Sequence, residues 1–344
     1  MEVYVTETGK TAVAMVTDRA YFLPSVAAAR SVVRYQKEPH DIFLFCHNFE
    51  PTRDEKSWLN DNIPQLTCIS IDFMDFFYSE LSKIYDKNIM IVMLGRLALP
   101  KLLNNYQKIL YIDGDILCLA SYDQYLKMDL NNFVVAAAHD NILWHLPDRP
   151  TLPRSRIIYR TDINVPLSVD YLNAGALIMN VSEWNKQEIG SKALELYARH
   201  HEKYRFVDQS ALNALLQGQF LPLSPRFNYQ EIYQGLDLEN ALPPVFVHFS
   251  GGYKPWSSAH YLYDARYRKD YETYLDGFPG VEHFLHPIKF SDKIFLKSAR
   301  KAFRRILTGK SPTFGVPYIK RKNYSQSIMK FIIDRKMQDL DFEI

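Results

Sequence analysis

Residues 109–117 read Ile-Leu-Tyr-Ile-Asp-Gly-Asp-Ile-Leu, an apolar run that stops abruptly at two carboxylates. Four apolar residues bounded by charge suit a strand buried inside a sheet. Side chains alternate faces along a strand, so Asp113 and Asp115 are expected to project together beyond its end. Two hard oxygen donors at one point, with Gly114 giving backbone clearance, form a partial site for a divalent cation. One carboxylate pair seldom completes a metal cage, and a substrate carrying its own phosphates would fill the remaining positions.

The segments around this strand alternate in type. Thr11–Thr17 reads as a buried strand, Asp41–His47, Leu66–Ile71 and Phe133–Ala138 as further strands, and Leu23–Tyr35, Trp58–Asn62 and Met93–Leu103 as helices. Tyr171–Val181 leads from loop into strand, Glu188–Arg205 and Asp208–Gln217 read as helices, and Val245–Phe249 as a strand ending at His248. Such alternation implies α/β architecture, a doubly wound, mostly parallel sheet. Ligands in these folds bind beyond the carboxyl ends of the strands, where the acidic pair falls. The Pro-rich stretch 141–170 is expected to be a long loop over the site.

The charge is unevenly spread. Residues 284–344 hold fourteen Lys/Arg against five Asp/Glu, net +9, whereas residues 1–283 carry −7. Within that tail, Phe295, Ala299, Ala302, Phe303 and Ile306 share one helical stripe, and Lys297, Lys301, Arg304 and Arg305 fall on another face. A basic amphipathic helix suits an anionic membrane surface, and no nucleic-acid recognition motif accompanies the charge. The division expected is a catalytic domain over 1–283 and a membrane-associating tail over 284–344. Cys46, Cys68 and Cys118 are odd in number and widely spaced, which fits a reducing compartment rather than a disulfide framework. With no signal peptide and no spanning segment legible, the expected location is cytoplasmic, peripheral to the inner face of the plasma membrane.

His248 is followed by Gly251, Gly252, Lys254 and Pro255-Trp256. A cation ligand, a permissive loop and a point positive charge together suit a metal-bound diphosphate. At this point an ordered set of motifs is complete: Val16-Thr17-Asp18-x-x-Tyr21, Gly95-Arg96, Asp113-Gly114-Asp115, Asn173-Ala174-Gly175, Asp208-Gln209, and His248-x-x-Gly251-x-x-Lys254-Pro255-Trp256. In this order the chain, over roughly residues 11–257, resembles family 8 retaining glycosyltransferases, which include bacterial lipopolysaccharide galactosyl- and glucosyltransferases and glycogenin.

The resemblance implies a GT-A fold and a UDP-sugar donor. It implies Mn2+, or Mg2+, on Asp113, Asp115 and His248; two carboxylates and an imidazole favour Mn over Ca. It places Thr17, Asp18 and Tyr21 at the uridine, Gly114, Gly251 and Lys254 about the diphosphate, and Arg96 on the sugar or the diphosphate. Asn173, Ala174, Asp140, Asp208 and Gln209 would line the sugar pocket, with Gln209 near the anomeric carbon and Asp208 as the fallback nucleophile. Arg19-Ala20 departs from the small acidic or Asn residues often found there. The reaction implied is transfer of galactose or glucose to a saccharide or lipid-linked glycan acceptor. Two alternatives stand beside it: a metal-dependent phosphatase of haloacid-dehalogenase type, which also places Asp-x-Asp after a strand, and a non-catalytic nucleotide-sugar-binding protein.

Overall fold

In the computed structural model the described residues are 10–81, 90–140, 160–230, 233, 238–251, 254–257, 265–285, 326, 328–334 and 337–341. A seven-stranded sheet runs through them in the order β3-β2-β1-β4-β7-β6-β8. Its strands are β1 (Thr11–Thr17), β2 (Asp41–His47), β3 (Leu66–Ile71), β4 (Lys108–Ile112), β6 (Val135–His139), β7 (Leu172–Asn180) and β8 (Leu221–Leu223). The pairs β1/β2, β2/β3, β1/β4 and β6/β8 are parallel; β7 runs antiparallel to both β4 and β6. A sheet of this kind is mixed but mostly parallel, with one reversed strand.

The central strands read as unbroken apolar runs because both faces are covered. Val13 and Met15 of β1, with Leu110 and Ile112 of β4, enter one core layer. Ala12, Ala14 and Val16, with Ile109 and Tyr111, enter the layer on the opposite face. Helix α1 (Phe22–Tyr35) packs on the first layer through Val26, Ala27 and Val32. Helix α2 (Arg53–Asn62) starts with a capping box: Thr52 accepts from the Glu55 N–H, and the Glu55 carboxylate accepts from the Thr52 N–H. Helices α3 (Ile189–His200) and α4 (Val207–Leu216) lie on the second layer. Helix α5 (Ala265–Tyr274) returns to the first through Tyr267 and Tyr271.

A small second sheet sets the geometry of the site. β5 (Ile116–Cys118), β10 (Phe246–His248) and β9 (Tyr229–Gln230) lie in the order β5-β10-β9. His248 pairs with Ile116, and the Phe249 N–H donates to the Asp115 carbonyl at 3.0 Å. The acidic pair therefore sits in a turn between β4 and β5, closed by the Ile116 N–H on the Asp113 carbonyl at 3.2 Å. The carboxylates share a side because of this turn, not because of strand alternation.

The helix expected over Met93–Leu103 is three short turns, Ile91–Leu94, Gly95–Ala98 and Leu99–Leu102. Pro100 lacks an N–H to continue a helix. Gly95 lies so close to Val16 and Phe73 that a Cβ would stand 2.8 and 2.9 Å from them. That close approach carries Arg96 under the sheet rather than onto a surface.

The expected loop and tail divide. Residues 141–159 and the basic stripe at 294–307 lie outside the described residues. Ile328, Ile332 and Met337 are buried in the first core layer. Asp339 accepts from the Ser224 N–H at 2.9 Å, the Ser224 hydroxyl at 2.7 Å and the Tyr125 hydroxyl at 3.0 Å. Arg226 donates to the carbonyls of Asp339 and Leu340, both at 3.0 Å. The last described residues of the tail are thus built into the core.

Candidate active site

A cavity of about 430 Å3 opens at the carboxyl ends of β1 and β4, lined among others by Asp18, Tyr21, Arg96, Tyr111, Asp113 and Asp115. At one end, one ligand atom each of Asp113, Asp115 and His248 lie within 4.8 Å of one another. His248 Nε2 is 3.4 Å from Asp115 Oδ1 and 3.9 Å from Asp113 Oδ2. Three donor atoms converging from two elements fit a divalent cation, and two oxygens with one imidazole nitrogen suit Mn2+ or a similar ion. The two sheets make this convergence; neither segment alone could.

Positive charge surrounds the pair. Lys254 Nζ is 2.6 Å from Asp115 Oδ2, and Arg96 Nη2 is 3.0 Å from Asp113 Oδ1. Burial opposes ionisation of Asp115, yet His248 and Lys254 outweigh it and hold the carboxyl below its usual range. Burial likewise opposes a charge on His248, and Asp115 and Asp113 reverse that, leaving its pKa raised. Both shifts express one arrangement: carboxylates and cationic groups stand side by side and favour each other's charged forms.

Arg96 is buried, and it joins the metal end to the pocket behind. Its guanidinium lies 4.6 Å from the Tyr111 ring centroid, and it donates to the Ala174 carbonyl. Its Nε stands 2.9 Å from Asp208 Oδ2, but among the described residues neither Asp208 oxygen accepts a hydrogen bond of good geometry. Burial pushes the Asp208 carboxyl up to about 7, with Arg96 pulling the other way.

Asp140, Asn173, Ala174 and Gln209 form one hydrogen-bonded group. Asn173 Nδ2 donates to Asp140 Oδ2 at 2.7 Å, and Gln209 Nε2 donates to the same oxygen at 3.1 Å. Gln209 Oε1 accepts from the Ala174 N–H at 3.0 Å. Gln209 is partly exposed where its neighbour Asp208 is wholly buried.

In the same cavity wall, Asp18 Oδ1 accepts from the Tyr21 N–H at 2.9 Å and so shapes the entry to α1. The Thr17 hydroxyl, fully buried, donates to the Asp18 carbonyl at 2.9 Å. Tyr21 is 38% exposed and meets Trp256 edge to face, with centroids 6.2 Å apart. Lys254 Nζ lies 5.9 Å from the Tyr21 ring centroid, so the loops after β1 and β10 touch. Gly251 lies in the bend after β10. Arg19 turns away from the cavity to a two-point ion pair with Glu55, at 2.9 and 2.6 Å, which accounts for its departure from a small residue.

Gly114 serves a different need from the one its sequence position suggests. A Cβ there would stand 2.2 Å from Ser25 Oγ, so the missing side chain makes room for α1. Two residues that the motifs do not name also belong to the site. The Tyr111 hydroxyl donates to Asp113 Oδ1 at 2.6 Å, and Asn228 Oδ1 lies 3.0 Å from His248 Nδ1. Strand alternation gives Tyr111 away, since it shares a face with Asp113. Asn228 carries only a faint signal, an amide between Phe227 and Tyr229 in an apolar stretch.

Comparison with known proteins agrees with this geometry. Over 180 residues the chain is 31% identical to general stress protein A of Bacillus subtilis, covering 47% of this chain and 58% of that protein. It is 25% identical over 161 residues to the lipopolysaccharide 1,2-glucosyltransferase of Escherichia coli, covering 43% of this chain and 44% of that one. The chain thus spans less than two thirds of the length of either relative. The structure of the galactosyltransferase LgtC, solved with donor and acceptor sugar analogues, superposes with a TM-score of 0.64 at 20% identity, covering 79% of this chain and 99% of that one. That likeness makes the fold GT-A. A family model, glycosyl transferase family 8, matches residues 12–260. With more than half its length inside that match, the chain belongs to glycosyl transferase family 8.

Proposed function

We propose that this chain is a metal-dependent, retaining hexosyltransferase that moves galactose or glucose from a UDP-sugar to a saccharide acceptor of the lipopolysaccharide or cell-surface type. The observation that carries the reading is the convergence of Asp113, Asp115 and His248 at the cavity mouth, beside Lys254. A divalent metal bound there would supply the positive charge that offsets charge building on the departing diphosphate. Lys254 and Arg96 add fixed positive charge to the same region. Asp18 and Tyr21 line the same cavity, where a uracil ring would stack on the half-open Tyr21 face.

Gln209 and Asp140 present amide and carboxylate groups to sugar hydroxyls, which both donate and accept. Retention through same-face attack fits the burial pattern: the partly exposed residue is Gln209, a poor nucleophile, while Asp208 is enclosed behind Arg96. The departing phosphate oxygen would then take the acceptor's proton. The names of the E. coli and Salmonella relatives, lipopolysaccharide 1,2-glucosyltransferase and lipopolysaccharide 1,3-galactosyltransferase, support the acceptor class.

The decisive experiment is a screen of UDP-, GDP- and CDP-sugars for nucleoside diphosphate release with Mn2+ and with excess EDTA. Release from a UDP-hexose only, abolished by EDTA, is expected. Phosphate release would return the phosphatase reading, and binding without release would return the non-catalytic one. NMR of the product from an α-linked donor is expected to show an α linkage.

Membrane attachment through the basic tail is part of the same proposal. Among the described residues no helix is long and apolar enough to cross a membrane. Each basic residue near an anionic surface contributes about 1 kcal/mol. Replacing Lys297, Lys301, Arg304 and Arg305 with Glu should abolish sedimentation with phosphatidylglycerol vesicles while donor hydrolysis persists. Unchanged sedimentation would remove the tail from this role.

A further inference from the structure

His248 can ligate a metal through Nε2 only if its proton sits on Nδ1. The hydrogen bonds behind the ring decide that point. Asn173 Oδ1 accepts from the Gly175 N–H at 2.9 Å, and a backbone amide can only donate. Asn173 Nδ2 faces the Asp140 carboxylate at 2.7 Å, which can only accept when ionised. These two contacts leave one orientation for the Asn173 amide. Asn228 must then turn Nδ2 toward Asn173 Oδ1, 2.7 Å away, and its own oxygen toward His248. That oxygen accepts, at 3.0 Å, so Nδ1 carries the hydrogen and Nε2 is the nitrogen turned toward Asp113 and Asp115, open to a cation that displaces any proton there.

We propose that Asn228 is a positioning residue that fixes the metal-ligating tautomer of His248 and, through Asn173 and Asp140, ties the metal site to the sugar pocket. The inference rests on the reading of Asp113, Asp115 and His248 as metal ligands. Asn228 is fully buried, so the amide has no water to exchange partners with. The ring is also clamped from the side: a Cβ on residue 175 would lie 2.2 Å from His248 Cε1, and Gly175 leaves that space to the ring. Second partners of ligating histidines act in this way in metal sites generally, fixing ring orientation and raising ligand basicity.

The test is Mn2+ binding to the whole chain without donor, followed by electron paramagnetic resonance of the free ion. His248→Ala comes first; if wild type binds no Mn2+, or the alanine variant binds equally, the reading of the metal site fails, not the role of Asn228. With that reading standing, Asn228→Leu should weaken Mn2+ binding roughly 10–100-fold. Asn228→Asp can still accept from Nδ1–H but cannot donate to Asn173. It should bind Mn2+ within a few-fold of wild type yet turn over the sugar donor more slowly, splitting kcat from metal affinity. Mn2+ binding by the leucine variant at wild-type strength overturns the proposal. So does loss of binding in the aspartate variant as severe as in His248→Ala, and this second arm holds even if the leucine variant does not fold.

Discussion

Among the described residues, the carboxylate of Asp339 and those of Asp113 and Asp115 are satisfied in opposite ways. Asp339 places one oxygen on the Ser224 N–H and the other on the hydroxyls of Ser224 and Tyr125, so its acceptor capacity is spent on the fold. Asp113 and Asp115 each spend one oxygen on a neighbour, Tyr111 and Arg96 for the first and Lys254 for the second. Their other oxygens face His248 Nε2. Asp208, farther back, has no well-formed hydrogen bond on either oxygen among the described residues. A buried carboxylate costs free energy unless it is paired. Where the fold closes every valence, the residue is a rivet; where it leaves oxygens converging on one point, the residue is kept for something that arrives later.

The largest test of that contrast is removal of a converging oxygen. Asp113→Ala or Asp115→Ala should lower sugar transfer on the order of 10³-fold or more. The metal-free variants should stay folded but melt modestly lower, because Asp113→Ala takes one carboxylate from Arg96, which keeps Asp208, and Asp115→Ala takes one from Lys254. Mn2+ binding at wild-type strength in either variant would place these residues with Asp339.

The pH dependence of Asp208 comes next. Its carboxyl is pushed up to about 7 by burial, from an ordinary value of 3.8. Between those values the native protein holds a proton that the unfolded chain has released. Stability should therefore fall as pH rises from about 4 to about 7 and level off above, by about 4 kcal/mol at most. Urea unfolding of wild type and Asp208→Asn across this window gives the difference; parallel curves would mean Asp208 is charged throughout.

Asp339→Ala inverts the first prediction. It strands the Ser224 N–H and two hydroxyls, and should cost about 3 kcal/mol of stability. Mn2+ affinity of the folded variant should stay within about two-fold of wild type. A change in metal binding without lost stability would dissolve the distinction between the two groups.

The smallest effect concerns the turn between the carboxylates. Gly114→Ala drives a Cβ to 2.2 Å from Ser25 Oγ and should cost about 1–3 kcal/mol. Pairing it with Ser25→Ala should recover part of that loss. Additive losses would show that the turn needs glycine for its backbone rather than for the space.

Several elements were legible without tertiary information. β1 and β2 fall on the residues their apolar runs marked, Thr11–Thr17 and Asp41–His47, because strands covered on both faces leave continuous hydrophobic signals; β3 also falls on Leu66–Ile71, though it is a half-exposed strand at the sheet's edge. Apolar spacing predicts one helix before β4 where three short turns stand, since it does not register what Gly95 and Pro100 do to a backbone. The reversal of β7 was equally silent, as strand direction depends on which neighbours pair. The basic charge of the tail was plain from composition. That Ile328, Ile332 and Asp339 are part of the core was not, because a tail's partners lie more than a hundred residues earlier in the chain.

The amino-acid order by itself determined the α/β class and the strand that delivers Asp113 and Asp115, because these follow from local periodicity and side-chain chemistry; the residues proposed for a metal and a diphosphate came from motifs whose order resembles a known family. Only the tertiary structure decided that β5 and β10 pair so that His248 meets the carboxylates, that Arg96 and Asp208 are enclosed, and that Asn228 stands behind the imidazole. The physical reason is that contact across the chain is fixed by packing and hydrogen-bond geometry, and those depend on residues that no local pattern brings together.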